Sequence, residues 1–274
     1  MSVLYSDEFL AKLENQARDN AAQYAAGKPF PHIYFDDFLP LEAAEAALRD
    51  FPEPRQIKWN EFSNQNEKKL AFDNVEKLPT SVRDVLYFLN SRPMIQFLEV
   101  LTGIKGVIGD PYFVGGGLHQ IKPGGHLEVH ADFNWHEQLQ LDRRINVLIY
   151  MNKDWHEEYG GHFELWNREM TKADQKILPL FNRCAIFSTT DFSYHGHPTP
   201  LSCPPDRSRK SIATYYYTNG RPEEEVSDSH STLFVQRPDS PAVHANGKSH
   251  SGMKGFLHAV TPPFLVDAYK NLRK

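Results

Sequence analysis

Apolar residues recur every three or four positions through much of the first hundred residues, the spacing of amphipathic helices. Ser6, Pro93 and Gly103 stand where such helices begin or end. Four helices are predicted, the third capped by Thr80 or Ser81: 7–26, 41–51, 80–89 and 93–102. A strand is predicted over 32–40, a run of β-branched and aromatic residues that ends at proline. The first part of the chain should therefore be helix-rich.

The pattern changes at Tyr112. Short β-branched and aromatic runs follow, separated by Gly, Pro and Asn, which is typical of an antiparallel sheet or barrel. The polar stretch 221–251 is predicted to be a loop, and 262–274 a terminal helix. The chain should be mainly β with added helices.

Nothing resembling a linker separates the helical part from the strands. We therefore expect one domain over 1–274, in which the helices pack against one face of the sheet or barrel. Its parts are a helix-rich segment, a β-rich core and a C-terminal loop and helix: 1–111, 112–222 and 223–274.

Composition and charge exclude some functions. The 274 residues carry 35 acidic and 30 basic side chains, a formal charge of −5, without a basic run that would attract nucleic acid. The N-terminus lacks a signal-peptide pattern, and no apolar span is long enough for a membrane helix. We expect a cytoplasmic protein without nucleic-acid or membrane partners. Two cysteines, Cys184 and Cys203, provide neither a disulfide framework nor metal-binding spacing.

The candidate chemistry lies in the β-rich part. In an extended segment His130 and Asp132 leave the same face, so they can bind one metal ion together. A distant histidine, His195, would complete three ligands. Two imidazoles and one carboxylate leave other coordination positions open, as in non-haem Fe(II) oxygenases.

Two rival ligand choices have similar spacing. His126 and Glu128 repeat the His-x-acid pattern, and His197 lies two residues beyond His195. Pro198 restricts the backbone at His197, which favours His195. His197 is then expected to line the mouth of the site or to bond to backbone.

The order of motifs resembles the 2-oxoglutarate and Fe(II) dependent dioxygenases, particularly the prolyl 4-hydroxylase-like branch. The resemblance covers about residues 112–222 and rests on H-x-D, aromatic-His-Gly and R-x-S in that order. Supporting segments are Pro123-Gly124-Gly125, HADFN from His130, NVLIYMNKDWHEEYGGHFELW from Asn146, FNRCAIFSTTDFSYHGHP and RKSIATYYYT.

The resemblance implies a role for several further residues. Arg209 and Ser211 alternate at the start of a strand, and Arg209 suits the distal carboxylate of 2-oxoglutarate. Tyr150 matches a family tyrosine that shares this carboxylate. Ile121 stands where prolyl hydroxylases often have a tyrosine, so His119 is a candidate substitute. The resemblance places the iron ligands at the end of the strand after the Gly-Gly turn, which favours His130 and Asp132.

The implied fold is a double-stranded β-helix, or jelly roll, with helices outside it. The implied activity is hydroxylation with Fe(II), O2 and 2-oxoglutarate, releasing succinate and CO2, and ascorbate is a candidate activator. Asp132 argues against a halogenase, in which a small residue would replace it. Asn134 and Trp135 are candidate floor residues of the substrate pocket.

The substrate stays open between an amino acid, a peptidyl proline, a carrier-bound residue and a sugar derivative. The compact length of the chain favours a small or carrier-bound substrate. The alternatives are a cupin-like zinc hydrolase or binding module, and a scaffold without catalysis. Arg209 argues against the hydrolase or binding module, which does not need a second carboxylate ligand. The intact His-Asp-His group argues against the scaffold.

Overall fold

The computed structural model describes residues 2–237. Four helices and fourteen strands make up this part of the chain. The helices are α1 Asp7–Ala25, α2 Leu41–Arg49, α3 Thr80–Leu89 and α4 Arg92–Thr102. The strands are β1 His32–Phe35, β2 Asn60–Ser63, β3 Lys68–Phe72, β4 Ile108–Gly109, β5 Gly117–Ile121, β6 Leu127–Ala131, β7 Trp135–His136, β8 Leu141–Tyr150, β9 Phe163–Trp166, β10 Ala173–Ile177, β11 Cys184–Ser188, β12 His195–His197, β13 Arg209–Thr218 and β14 Leu233–Phe234.

Local signals set the ends of the helices. The side chain of Ser6 accepts a hydrogen bond from the backbone N–H of Phe9, as expected of a cap of α1. Gly103 ends α4 with a left-handed backbone, φ +74°. The prediction that Thr80 or Ser81 caps α3 is wrong, because the helix already begins at Thr80 and no side chain caps it. Within residues 2–237 no helix has the length and apolar character that crossing a membrane requires.

The larger sheet has nine strands in the order β1-β11-β8-β13-β5-β3-β2, with β4 on β13 and β7 on β8. Successive side chains along its strands point to opposite faces of the sheet, and the two faces have different surroundings. On β8, Ile145, Val147 and Ile149 join the apolar cluster that also contains residues of all four helices. Asn146, Leu148 and Tyr150 face the other side and line a cavity. One face of the sheet therefore carries the helices, as predicted.

The smaller sheet has five strands in the order β10-β9-β12-β6-β14, and all of its pairings are antiparallel. Residues of both sheets line the same cavity, so the two sheets face each other. In the described part of the chain the sheets form two layers rather than one closed barrel. This arrangement is that of a jelly roll.

The first 111 residues contribute more to the sheet than their pattern predicts. The strand predicted over 32–40 ends at Phe35, and a turn follows in which Asp37 has φ +49°. The hairpin of β2 and β3 was not predicted, and β3 pairs with β5 at the sheet edge. All four residues of β2 are exposed. An exposed strand needs no alternation of apolar and polar residues, so the sequence pattern that marks a half-buried strand is missing here. The predicted helix 262–274 lies outside the described residues.

A buried asparagine joins the N-terminal segment to the sheet. The side-chain amide of Asn182 donates to the backbone oxygen of Leu39 at 2.8 Å, and its oxygen accepts from the N–H of Leu39 at 3.0 Å. Its own backbone oxygen accepts from the N–H of Phe38. Asn182 has φ +59°, a left-handed conformation that asparagine tolerates better than most residues. It therefore holds the entry to α2 against the start of β11.

Asn182→Ala should lower the free energy of unfolding by about 2–4 kcal/mol, because it leaves two buried backbone groups unsatisfied and strains the turn. Urea denaturation monitored by circular dichroism measures the loss. Asn182→Gly avoids the backbone strain, so its loss of unfolding free energy measures the side-chain hydrogen bonds alone. Asn15→Ala, at an exposed position, is the control. An Asn182→Ala variant as stable as the Asn15→Ala control would contradict this role.

Candidate metal and co-substrate site

Three predicted ligands converge. His130 on β6, Asp132 just after it and His195 on β12 place one ligand atom each within 4.8 Å of one another, the only such group of three found among residues 2–237. Nε2 of His130 lies 3.6 Å from Oδ1 of Asp132, and Nε2 of His195 lies 3.4 Å from Oδ2. His130 and His195 are cross-strand partners, so their side chains leave the same face. Such a group can hold a divalent metal ion.

The two imidazole rings are oriented by backbone oxygens. Nδ1 of His130 lies 2.8 Å from the oxygen of Glu128, and Nδ1 of His195 lies 2.8 Å from the oxygen of Ser193. A carbonyl oxygen only accepts, so each Nδ1 carries a proton and Nε2 is the nitrogen directed towards Asp132. Burial lowers the pKa of His195 to about 4, against the raising effect of Asp132. Its ring is therefore neutral at pH 7, the form that binds metal.

Asp132 is fixed by an amide and a cation. The side-chain amide of Asn146 donates to Oδ2 at 2.6 Å, and Nη2 of Arg143 lies 3.0 Å from the same oxygen. Nε of Arg143 donates to Oδ1 of Asn146 at 2.9 Å. Burial alone raises the pKa of the Asp132 carboxyl, but Arg143 and the two imidazoles overcome this and hold the pKa well below its usual range. The carboxylate is therefore ionised and held in one orientation.

Arg143 itself is packed between aromatic rings. Its guanidinium lies 3.5 Å from the ring centre of Tyr215 and 4.3 Å from that of Phe133. The side chain is completely buried. Aromatic faces stabilise a buried cation, so these rings help to keep the charge beside Asp132.

An inner cavity of about 80 Å³ extends from the triad into the space between the sheets. Arg209 lies in its wall, 6% exposed, and its Nε donates to the backbone oxygen of Gly161 at 2.7 Å. Nη2 of Arg209 donates to the hydroxyl of Tyr150 at 3.3 Å. Burial raises the pKa of Tyr150, so its hydroxyl stays protonated. Gly161 has φ +72°, and a Cβ there would lie 2.6 Å from Cδ2 of Leu201 and 3.0 Å from Cδ of Arg209, so a larger residue would strain the backbone and crowd this contact.

A second cavity of about 220 Å³, called the outer cavity below, adjoins the first and shares part of its lining. Four aromatic side chains, Phe62, Phe133, Tyr215 and Phe234, form part of its wall, together with Lys69. Both cavities are lined by His130 and Asp132, so the triad stands where they meet.

Residues 116–217 match the family model of the 2OG-Fe(II) oxygenase superfamily. Over this stretch the chain is similar to that superfamily. The oxygenase match favours the predicted Fe(II)- and 2-oxoglutarate-dependent dioxygenase over the zinc hydrolase and the non-catalytic scaffold.

Solved structures of prolyl hydroxylases share the fold. The enzyme of Trichoplax adhaerens, in complex with a hypoxia inducible factor peptide fragment, is 17% identical with a TM-score of 0.54, over 77% of this chain and 93% of that one. The prolyl-4-hydroxylase of Pseudomonas putida is 15% identical with a TM-score of 0.50, over 75% and 100%. That of Phytophthora capsici is 18% identical with a TM-score of 0.51, over 76% and 65%. The predicted double-stranded β-helix is confirmed.

The residues of the site fit Fe(II) and 2-oxoglutarate. Two imidazoles and a carboxylate suit Fe(II). Arg209 is a buried cation in a cavity whose only acidic wall residue is Asp132, so it has no carboxylate partner within residues 2–237. The carboxylate of 2-oxoglutarate would supply that partner. Ascorbate stays a prediction.

Of the other predicted site residues, two line the inner cavity and two line neither cavity. Ser211 and His119 are cross-strand partners that line the inner cavity, and Nε2 of His119 lies 3.1 Å from the oxygen of Gly115. Asn134 and Trp135 line neither cavity. The amide of Asn134 instead bonds to Ser227 and Asp228, where it holds the chain that leads to β14.

The rival ligand pair is not brought to the triad. Oε2 of Glu128 forms an ion pair with Arg237 at 3.0 Å, and Nε2 of His126 lies 3.2 Å from the oxygen of Gln65. A bulge in β6 explains this, because His195 pairs with His130 whereas His197 pairs with Leu127. The extra residue places Leu127, rather than Glu128, in the cavity wall.

Sequence reasoning missed three residues of the site: Lys69, Arg143 and Asn146. Asn146 was detectable, since it alternates with Tyr150 on one strand. Arg143 was not, because a second bulge moves it to the inner face: Tyr216 pairs with Ile145 and Tyr217 with Arg143.

Asn146→Leu should weaken divalent metal binding by about tenfold to a hundredfold, because a ligand that loses its outer hydrogen bond is no longer held in place. Competition titration with Mn(II) and a chelating dye measures the affinity. Asn152→Leu removes an equally buried amide that bonds to Pro179 and Lys210. That control should lower stability and keep the metal affinity of the folded protein. Unchanged metal affinity in Asn146→Leu would contradict this role of the hydrogen bond from Asn146 to Asp132.

Proposed function

We propose that this protein is a 2-oxoglutarate-dependent Fe(II) hydroxylase acting on an amino-acid, prolyl or other small or carrier-bound substrate. One observation carries the proposal: a small cationic cavity and a wider aromatic cavity meet at the His-Asp-His group. The inner cavity fits the co-substrate, and the outer one admits the group to be oxidised. A reaction at the junction of the two cavities would involve both the co-substrate and the group to be oxidised.

His130, Asp132 and His195 are the proposed Fe(II) ligands. The bound ion with 2-oxoglutarate supplies O2 activation, in which one oxygen atom enters a substrate C–H bond and the other enters succinate as CO2 is released. Asn146 and Arg143 hold the carboxylate, and the oxygens of Glu128 and Ser193 hold the imidazoles. These contacts would hold the three ligand side chains in place at the cavity wall for the ion.

Arg209, Tyr150 and Ser211 are the proposed binding residues for the distal carboxylate. The guanidinium is already oriented by Gly161 and Tyr150, so little order is lost when a carboxylate arrives. Pairing a buried guanidinium with a carboxylate also removes the cost of leaving that charge alone. His119 is a candidate for a further polar contact.

The outer cavity limits the substrate by size and polarity. Its aromatic wall can pack against an aliphatic or prolyl ring, and about 220 Å³ admits one group of amino-acid size. The ring of Phe234 lies 5.5 Å from that of His130, so packed substrate carbon would lie beside the metal ligands. The prolyl hydroxylases that share the fold are consistent with a peptidyl substrate.

The purified protein with Fe(II), ascorbate, O2 and 2-oxoglutarate should slowly release succinate, because the co-substrate can react without substrate. His130→Ala, Asp132→Ala and His195→Ala should each abolish release and weaken Fe(II) binding while most of the fold remains. Quantification of succinate by mass spectrometry, with metal content measured in parallel, checks this expectation.

The matched control is His126→Ala, which removes a neighbouring imidazole outside the triad and should keep both iron and succinate release. Loss of iron in His126→Ala and its retention in Asp132→Ala would refute the ligand assignment. A protein that binds metal but shows neither succinate release nor 2-oxoglutarate binding would favour a hydrolase with the same metal group.

Arg209→Ala should raise the 2-oxoglutarate concentration required for turnover by about thirtyfold or more, since loss of one partner of a buried charge pair costs roughly 2–5 kcal/mol. Fe(II) binding should change little. Arg207→Ala is the control, because that guanidinium bonds to the backbone oxygens of Lys153 and Asp154. Equal defects in the two variants would show that Arg209 is not the anchor.

A further inference from the structure

His197 has no hydrogen-bond partner for either of its ring nitrogens within the described part of the chain. The side chain is 3% exposed and lines the inner cavity. It belongs to β12, two residues beyond His195. The sequence left two alternatives for His197, a place at the mouth of the site or hydrogen bonds to backbone. The structure places it in the cavity wall and gives it no backbone partner within the described residues.

A buried imidazole without partners is costly. Burial removes the water that would otherwise bond to its nitrogens, and most buried polar side-chain atoms in folded proteins have a partner. An apolar residue of similar size would fill this wall of the cavity without that cost. The unsatisfied nitrogens indicate that a ligand in the cavity supplies the missing contact.

The charges around the cavity indicate which ligand chemistry is suitable. Arg209 and Lys69 line the same cavity, and Lys69 is already paired with Glu67 at 2.9 Å. Arg209 projects from β13 of the larger sheet, and His197 belongs to the smaller sheet that faces it. An anion bound by Arg209 would thus have the imidazole on its other side.

We propose that His197 donates a ring N–H to the distal carboxylate of 2-oxoglutarate, from the sheet opposite Arg209. The inference rests on the proposed function and adds a binding residue to it. An imidazole carries at least one N–H whether it is neutral or protonated, so the contact does not depend on its charge. Donors from two sheets would enclose the carboxylate and select a dicarboxylic oxo acid over a monocarboxylic one.

The test measures binding rather than turnover. Calorimetric titration of the Mn(II)-loaded protein uses two ligands: 2-oxoglutarate and 2-oxopentanoate, which lacks the distal carboxylate. His197→Leu removes the N–H at similar size, and His197→Gln keeps a side-chain N–H donor. His126→Leu is the matched control, since it removes a histidine that bonds outside the cavity.

His197→Leu should bind 2-oxoglutarate about tenfold to a hundredfold more weakly than the wild type, the effect expected for a lost hydrogen bond to a charged group. His197→Gln should recover most of the affinity. Binding of 2-oxopentanoate should be the same in the wild type and His197→Leu, and Mn(II) affinity should be unchanged. His126→Leu should bind both ligands as the wild type does.

Wild-type affinity of His197→Leu for 2-oxoglutarate would overturn the inference. An equal loss for both ligands would overturn it too, because the ring would then act on the metal end or on the fold. If His197→Leu does not fold, His197→Val repeats the test with a residue that strands favour. A Mn(II)-loaded wild type that does not bind 2-oxoglutarate would instead refute the proposed function itself.

Discussion

The antiparallel pairing of β6 with β12 is the constraint on which the site depends. It places His130 opposite His195, although the two residues lie far apart in the sequence. Directly opposed residues of an antiparallel pair lie on the same face with their Cβ atoms about 5 Å apart. Asp132 follows at the end of β6 and closes the group. Because backbone hydrogen bonds fix this register, the ligand positions exist before any metal arrives. A shift of either strand by one residue would turn the imidazole of that strand to the other face.

Charge is distributed unevenly along the cavity. At the triad, the Asp132 carboxylate is balanced by Arg143, which is buried between the rings of Phe133 and Tyr215. At the inner end, the hydrogen-bond partners of Arg209 within residues 2–237 are the oxygen of Gly161 and the hydroxyl of Tyr150. The first charge is paired with a carboxylate of the protein, whereas the second has no carboxylate partner in this part of the chain. This asymmetry suits a dicarboxylate that binds metal at one end and guanidinium at the other.

The sequence predicted the elements that follow regular periodicity. Ser6 and Gly103 marked helix ends, and H-x-D followed by a distant histidine identified the group that the structure brings together. At two β-bulges, the simple alternation of side chains did not predict which residues face the cavity. One turns Leu127 rather than Glu128 into the cavity, and the other turns Arg143 towards Asp132. The hairpin that contributes Lys69 has an exposed first strand, so its pattern did not mark it as part of the sheet.

We propose that one metal ion and one dicarboxylate occupy adjoining positions in the cavity. Anaerobic titration of the wild-type protein with Fe(II), followed by 2-oxoglutarate, tests this directly, because an oxo acid that chelates Fe(II) gives a visible metal-to-ligand charge-transfer band. We expect no such band with Fe(II) alone and a saturable band when 2-oxoglutarate is added. A protein that binds Fe(II) stoichiometrically, yet shows no 2-oxoglutarate-dependent change in its spectrum, would contradict it.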